Sequence, residues 1–265
     1  MLSFVVAGLI VGAAVGMTGV GGGSLMTPLL ILLFGFAPSA AVGTDLLYAA
    51  GTKGFGTWLH GRQQTVDWRV VGLMASGSLP AAILTIAWLH SVGLEPWVQE
   101  LMIVTLAVTM IITAALTFVR DRLIAWLKHR MIFVAGRSES DLLAWRPTLT
   151  VLGGIALGIL VSLSSVGAGV LGTTMLLILY PNARAVRIVG TDIAHAVPLT
   201  LIAGLGHLSL GTTDLGVLAF LLIGSLPGIY IGTRVAVFLP DRALRPIIAV
   251  LLIFIALSML VKSLT

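Results

Sequence analysis

Gly19-Val20-Gly21-Gly22-Gly23-Ser24 breaks an apolar run near the start of the chain, and four of its six residues are glycine. Glycine in a helix interior is unfavourable by about 1 kcal/mol relative to alanine, and a cluster of glycines lets the backbone leave the helix. The flanking sequence, 2–17 and 24–34, is apolar, so the break sits between two helical pieces. The second is about 16 Å long if helical, too short to cross a hydrocarbon core of about 30 Å. The two pieces therefore predict a re-entrant or discontinuous helix pair. A weaker copy of the break recurs at Ser165-Val166-Gly167-Ala168-Gly169.

The rest of the composition sets the class. The 265 residues are 58% hydrophobic and 9% charged, with mean hydropathy +1.12. Soluble domains carry about 25% charge, so this chain lacks the residues to cover a soluble surface. Runs such as 98–119 and 247–261 reach or approach spanning length. The ten-residue alternation of a lipid-embedded β-barrel is missing. The expected fold is an all-α polytopic membrane protein. The net charge of +5 collects in a few loops, which is how membrane topology is set, so nucleic acid is not an expected partner. With no cysteine there is no disulfide, thiolate nucleophile or cysteine metal site. Met1-Leu2-Ser3-Phe4 has no basic n-region, so no cleaved signal peptide is expected.

The chain repeats. Gly8, Gly12, Val15, Val20, Gly21 and Gly23 align with Gly154, Gly158, Val161, Val166, Gly167 and Gly169 at an offset of 146. Val42-Gly43-Thr44-Asp45 aligns with Val189-Gly190-Thr191-Asp192 at 147, as do His60 with His207, Asp67 with Asp214, and Gly77-Ser78-Leu79-Pro80 with Gly224-Ser225-Leu226-Pro227. An internal duplication follows: a first transmembrane repeat over 1–119, a basic linker over 120–147, and a second repeat over 148–265. Each repeat is expected to hold one broken pair and three long helices, in the first at 39–59, 69–90 and 97–119. In the linker Leu123, Ile124, Trp126 and Leu127 interleave with Arg122 and Lys128, so part of it is either an amphipathic helix in the interface or a plain cytoplasmic connection. Gly8, Gly12 and Gly16 recur every four residues on one face, the pattern of close helix–helix packing.

The positive-inside rule orients the repeats. With Arg120, Arg122, Lys128, Arg130, Arg137 and Arg146 in the cytoplasm, Arg62, Arg69, Arg184 and Arg187 also fall inside, while turns 35–38, 91–96 and 207–214 fall outside without Lys or Arg. That assignment predicts inverted repeats with both termini outside, and breaks that approach each other from opposite sides near the midplane.

Broken helices in corresponding positions point to a transport site, because opened backbone is tolerated in lipid only where it is buried or lines a cavity. Free amides in a glycine loop form an anion nest, and a helix starting at Ser24 or Leu171 adds its positive dipole end. The candidate substrate-binding residues are Gly21, Gly22, Gly23, Ser24, Thr27, Thr44, Lys53, Ser165, Gly167, Gly169, Thr173 and Thr191. Lys53, eight positions after Asp45, either offers charge to the anion or snorkels to the inner interface near Arg62. Asp45, Asp192 and His195 are the candidate proton-coupling residues. Ionisable groups at such depth are costly and usually functional; the other reading of the two aspartates is a helix cap or an ion pair with an inner arginine. His195, three residues after Asp192, is placed to touch it. The repeated His-x6-Asp pairs suit caps better than metal ligands, and no Walker, HExxH or G-x-S-x-G pattern is present. No catalytic, metal or cofactor site is expected.

Val20-Gly-Gly-Gly-Ser-Leu-Met-Thr-Pro28, Ala41-Val-Gly-Thr44, Thr65-Val-Asp-Trp-Arg69 and Gly77-Ser-Leu-Pro80 resemble the TauE/SafE sulfite exporter family over nearly the whole chain. The family typically carries Ser after Gly-Thr, where this chain has Asp45 and Asp192. The resemblance implies a bacterial inner-membrane permease for sulfite or an organosulfonate such as sulfoacetate. With the buried carboxylates, the leading expectation is proton-coupled secondary transport of a small anion. A passive anion channel and a membrane-embedded enzyme are the competing ones. The expected partners are the anion and membrane lipid; assembly as a homodimer is left open.

Overall fold

The computed structural model describes residues 1–18, 23–134, 139–236 and 241–264. These form ten helices: α1 Leu2–Thr18, α2 Gly23–Leu32, α3 Pro38–Arg62, α4 Trp68–Val92, α5 Pro96–Val134, α6 Glu139–Ser164, α7 Val170–Leu179, α8 Ala185–Ser209, α9 Leu215–Ala236 and α10 Asp241–Leu264. No strand occurs among the described residues. Five helices are long and apolar enough to cross a membrane. α3, although as long as α4, is less apolar because it carries Thr44, Asp45, Thr52 and Lys53 in the interior of the bundle.

The order in each half is a broken pair followed by three long helices. Both pairs fold back on themselves. The ring of Phe4 at the start of α1 stacks on Phe34 just past α2, with centroids 4.6 Å apart. In the second half Thr150 near the start of the apolar part of α6 shares a 2.9 Å hydrogen bond with Tyr180 at the end of α7. Each short helix therefore returns to the side from which its partner entered.

The two halves exchange their contacts. A Cβ on Gly8, Gly12 or Gly16 of α1 would fall within 2.5 Å of backbone on α9, at Leu221, Ser225 and Ile229. From the other side, Gly224, Gly228 and Gly232 lie equally close to Val5, Leu9 and Ala13. The glycine period was thus a packing signal, as expected. The equivalent pair is α6 with α4, where Gly154 and Gly158 meet the backbone of Met74 and Ser78.

α3 and α8, the equivalent third helices, cross the centre antiparallel. Near the start of α3, the hydroxyl of Thr44 accepts from the backbone N–H of Asp214, just beyond the end of α8, at 3.2 Å. Near the start of α8, Thr191 accepts from the N–H of Asp67, just beyond the end of α3, at 2.9 Å. Each corner is closed by the loop the other half supplies. Asp67 Oδ1 caps α4 through the N–H of Val70 at 3.3 Å, and Asp214 Oδ1 accepts from Val217 at 2.9 Å. His60 and His207 hold the loops through Thr65 at 2.7 Å and Thr212 at 3.3 Å. The His-x6-Asp pairs are structural corners.

The 120–147 segment differs from either sequence expectation in one respect. α5 continues without interruption past 119 to Val134, and helix resumes at Glu139. Leu106, Ala107, Met110 and Ala114 anchor the spanning part of α5 in the core with Leu252, Ala256 and Met259 of α10. The charged stretch to Val134 extends a helix that is already nucleated in the core.

Candidate functional site

The site is built on the facing sides of α3 and α8. Asp45 and Tyr48 are three residues apart on α3, Asp192 and His195 three apart on α8, so each pair shares a helix face. All four are buried. Asp45 Oδ2 accepts from the hydroxyl of Thr27 on α2 at 2.5 Å, while Oδ1 makes no hydrogen bond of good geometry, with the Ser165 side chain beside the carboxylate. Asp192 Oδ1 is likewise unpartnered and lies against Gly172 of α7, where a Cβ would stand 1.9 Å from it. Neither aspartate caps a helix end. The ion pair found among the described residues, Arg187 with Asp67 at 3.0 Å, lies at a corner and involves neither.

The second break forms the wall opposite. Between Ser164 and Val170 the chain passes through left-handed conformations, with φ of 59° at Ser165, 127° at Gly167 and 146° at Gly169. The two glycines fit because no Cβ opposes such angles. Among the described residues the amides of Gly167, Ala168 and Gly169 find no acceptor, and α7 begins immediately after with its positive end toward them. The carbonyl of Ala168 accepts from Lys53 Nζ at 2.6 Å. Lys53 therefore reaches across to the other half's break and does not run out toward Arg62. It lies within electrostatic reach of both Asp45 and Asp192, yet no ion pair within 4 Å joins it to either.

The predicted residues divide. Thr27, Lys53, Ser165, Gly167, Gly169, Asp45, Asp192 and His195 come together here. His195 does not bond Asp192 as its spacing suggested; its Nε2 pairs with Ser78 of α4 at 2.7 Å, and Nδ1 is left without a partner. Thr44 and Thr191 are spent on the corners, and the hydroxyl of Thr173 stays on its own helix, donating to Gly169 at 2.6 Å. Gly21 and Gly22 lie outside the described residues, and Gly23 and Ser24 open α2.

Sequence reasoning did not single out Tyr48. Tyr48 is fully buried, and its hydroxyl faces the Ser225 side chain of α9 without forming a hydrogen bond of good geometry. Thr174 Oγ1 also makes no hydrogen bond; it aligns with Thr27 at an offset of 147, as Thr173 does at 146. The signal was available: at 147, Tyr48 falls on His195.

The unbonded buried polar atoms concentrate at this place. Asp45 Oδ1, Tyr48 OH, Ser165 Oγ, Thr174 Oγ1, Asp192 Oδ1 and His195 Nδ1 are all buried without a hydrogen bond of good geometry, although Ser165 lies beside Asp45 and Ser225 beside Tyr48. Native proteins leave few such atoms, and each is unfavourable by about 1–3 kcal/mol. With the free amides and Lys53 they offer donors and one positive charge to a small anion, and two carboxylates that can carry protons.

Residues 4–259 match the family described as Sulfite exporter TauE/SafE. The chain belongs to that family. It is also 39% identical over 259 residues to the probable membrane transporter protein YjnA of Bacillus subtilis (strain 168), covering 98% of this chain and 99% of the relative. A second Bacillus subtilis (strain 168) protein, the probable membrane transporter protein YdhB, is 27% identical over 236 residues, 89% of this chain and 90% of its own. No solved structure matches the chain. As a TauE/SafE family member with five apolar spanning helices, it is a multi-pass membrane transporter.

Proposed function

We propose that this TauE/SafE member is a proton-coupled secondary permease for a small anion, sulfite or an organosulfonate such as sulfoacetate, in the bacterial inner membrane. The observation that carries the reading is the cluster of unbonded buried polar atoms around Lys53 and the second break. Donors predominate there, which suits an oxyanion, and the cargo's chemistry follows the family. Asp45 and Asp192 lack cationic partners at hydrogen-bond range, the situation of proton carriers in transporters. Binding an anion beside two carboxylates is favoured when they are protonated, which ties proton uptake to substrate.

The antiparallel course of α3 and α8 supports inverted repeats across the membrane. With the arginine-rich 120–147 segment in the cytoplasm, both termini are periplasmic. Alternating access then moves one half against the other around the central cluster. The test is flux into proteoliposomes holding the purified protein. Labelled sulfite or sulfoacetate should accumulate when a proton gradient is imposed and dissipate when it is collapsed. Flux indifferent to the gradient would reassign the protein to the passive channel reading, and no flux of any such anion would remove the permease reading.

A further inference from the structure

We propose that the Tyr48 hydroxyl is a substrate-binding donor of the transport site, the first-half counterpart of His195. This rests on the permease reading above and names a residue for it.

Three observations converge. The first is position. At the repeat offset Tyr48 replaces His195 just as Asp45 replaces Asp192, and both sit three residues beyond their aspartate on the same helix face. The second is environment. His195 pairs through Nε2 with Ser78 of α4; Tyr48 lies beside Ser225 of α9, and Ser78 and Ser225 are themselves repeat equivalents. The two side chains occupy the same niche in opposite halves. The third is what remains unmade. Tyr48 is completely buried, its OH makes no hydrogen bond of good geometry although the Ser225 side chain is beside it, and the Asp45 carboxylate lies within its electrostatic reach. Buried tyrosine hydroxyls ordinarily find an acceptor. Here the hydroxyl is left able to donate to an anion oxygen that enters the site.

The pairing gives the two ends of the site different chemistry. One presents a neutral phenol, the other an imidazole. Lys53 is equally one-sided, since Thr200 stands at its repeat equivalent and donates to its own helix at Ala196. The site is thus a duplicated frame with unduplicated ligands.

Tyr48→Phe removes the hydroxyl and keeps the ring. Reconstituted protein is assayed for initial rates of labelled sulfite uptake, and detergent-solubilised protein without substrate for its melting temperature. A hydrogen bond to a charged ligand is worth about tenfold in affinity or more, so KM for sulfite should rise by at least that factor. The substrate-free melting temperature should stay or rise, because the lost hydroxyl made no hydrogen bond of good geometry within the protein. Ser225→Ala should leave KM near that of the parent. An unchanged KM in Tyr48→Phe, as expected if the hydroxyl is satisfied by water alone, overturns the assignment. So does a fall in melting temperature matched by Ser225→Ala, which would make the hydroxyl a structural partner of the serine. Parent protein that moves no anion overturns the permease reading together with this one, whereas a normal Tyr48→Phe in a transporting protein overturns this one alone.

Discussion

Lys53 Nζ donates to the carbonyl oxygen of Ala168, 115 positions along the chain, at 2.6 Å. One long side chain on α3 thereby ties the first half to the opened backbone of the second. A carbonyl freed from its helix needs a donor, and a cation in apolar surroundings needs acceptors. The contact serves both groups. Under the proposed function, an arriving anion would compete for the same ammonium.

Lys53→Met should therefore weaken substrate binding by about tenfold or more, the scale of a charged hydrogen bond. Initial-rate uptake across a range of sulfite concentrations measures it. Uptake with parent KM would show that the lysine serves only the Ala168 carbonyl.

Gly172→Ala should damage the protein through Asp192. The new Cβ would meet Oδ1 at 1.9 Å, so either the aspartate rotates or α7 retreats. Overpacking of this kind costs about 1–3 kcal/mol. The expected result is a lower melting temperature and reduced flux. Asp192→Ala in the same background should restore the melting temperature and leave transport defective.

The two aspartates are expected to separate exchange from accumulation. In the Asp45→Asn, Asp192→Asn double variant, the amides of the break and Lys53 remain. Exchange of labelled for unlabelled anion should continue, while accumulation against a gradient should fail. In the parent, apparent affinity should rise as pH falls, because protonation removes negative charge beside the substrate; the double variant should lose that dependence. An unchanged pH profile would take both carboxylates out of the coupling.

Thr191→Val should cost about 1–2 kcal/mol of stability, since it strands the backbone N–H of Asp67 at a corner. Arg187→Gln at the same corner should cost less than about 1 kcal/mol, because its ion pair with Asp67 is half exposed. Thermal unfolding in detergent compares them. Equal losses would mean that the ion pair, and not the hydroxyl, closes the corner.

Topology can be checked directly, because the chain has no cysteine background. Gly93→Cys and Leu210→Cys should react with an impermeant maleimide from outside, and Gln64→Cys only after the membrane is opened. All three reacting from one side would refute the inverted arrangement.

Much of this was legible in the residues. The breaks, the three long helices of each half and the packing role of Gly8, Gly12 and Gly16 follow from glycine spacing and hydropathy, which act locally. What escaped depends on the partner across the bundle. Thr44 and Thr191 looked like substrate ligands because they adjoin the aspartates, yet a hydroxyl one position along a helix points about 100° away, here to the corner loops. His195 looked like a partner for Asp192 and turned instead to Ser78. Tyr48 was not singled out, because an aromatic within an apolar run is usually core, and it does pack in the buried cluster with Leu106 and Met110. Only the comparison of one half with the other distinguishes it.

The glycine seam between α1 and α9 has a consequence for biosynthesis. α1 is made well before α9, and its close-packing partner begins only at Leu215. At about 5–20 residues per second, α1 waits on the order of ten to forty seconds with its glycine face toward lipid. α4 and α6, by contrast, meet soon after each is made. The nascent chain must therefore pass through a stage in which the second seam has closed and the first has not. A ribosome stalled before α9 would leave α1 accessible to membrane quality control.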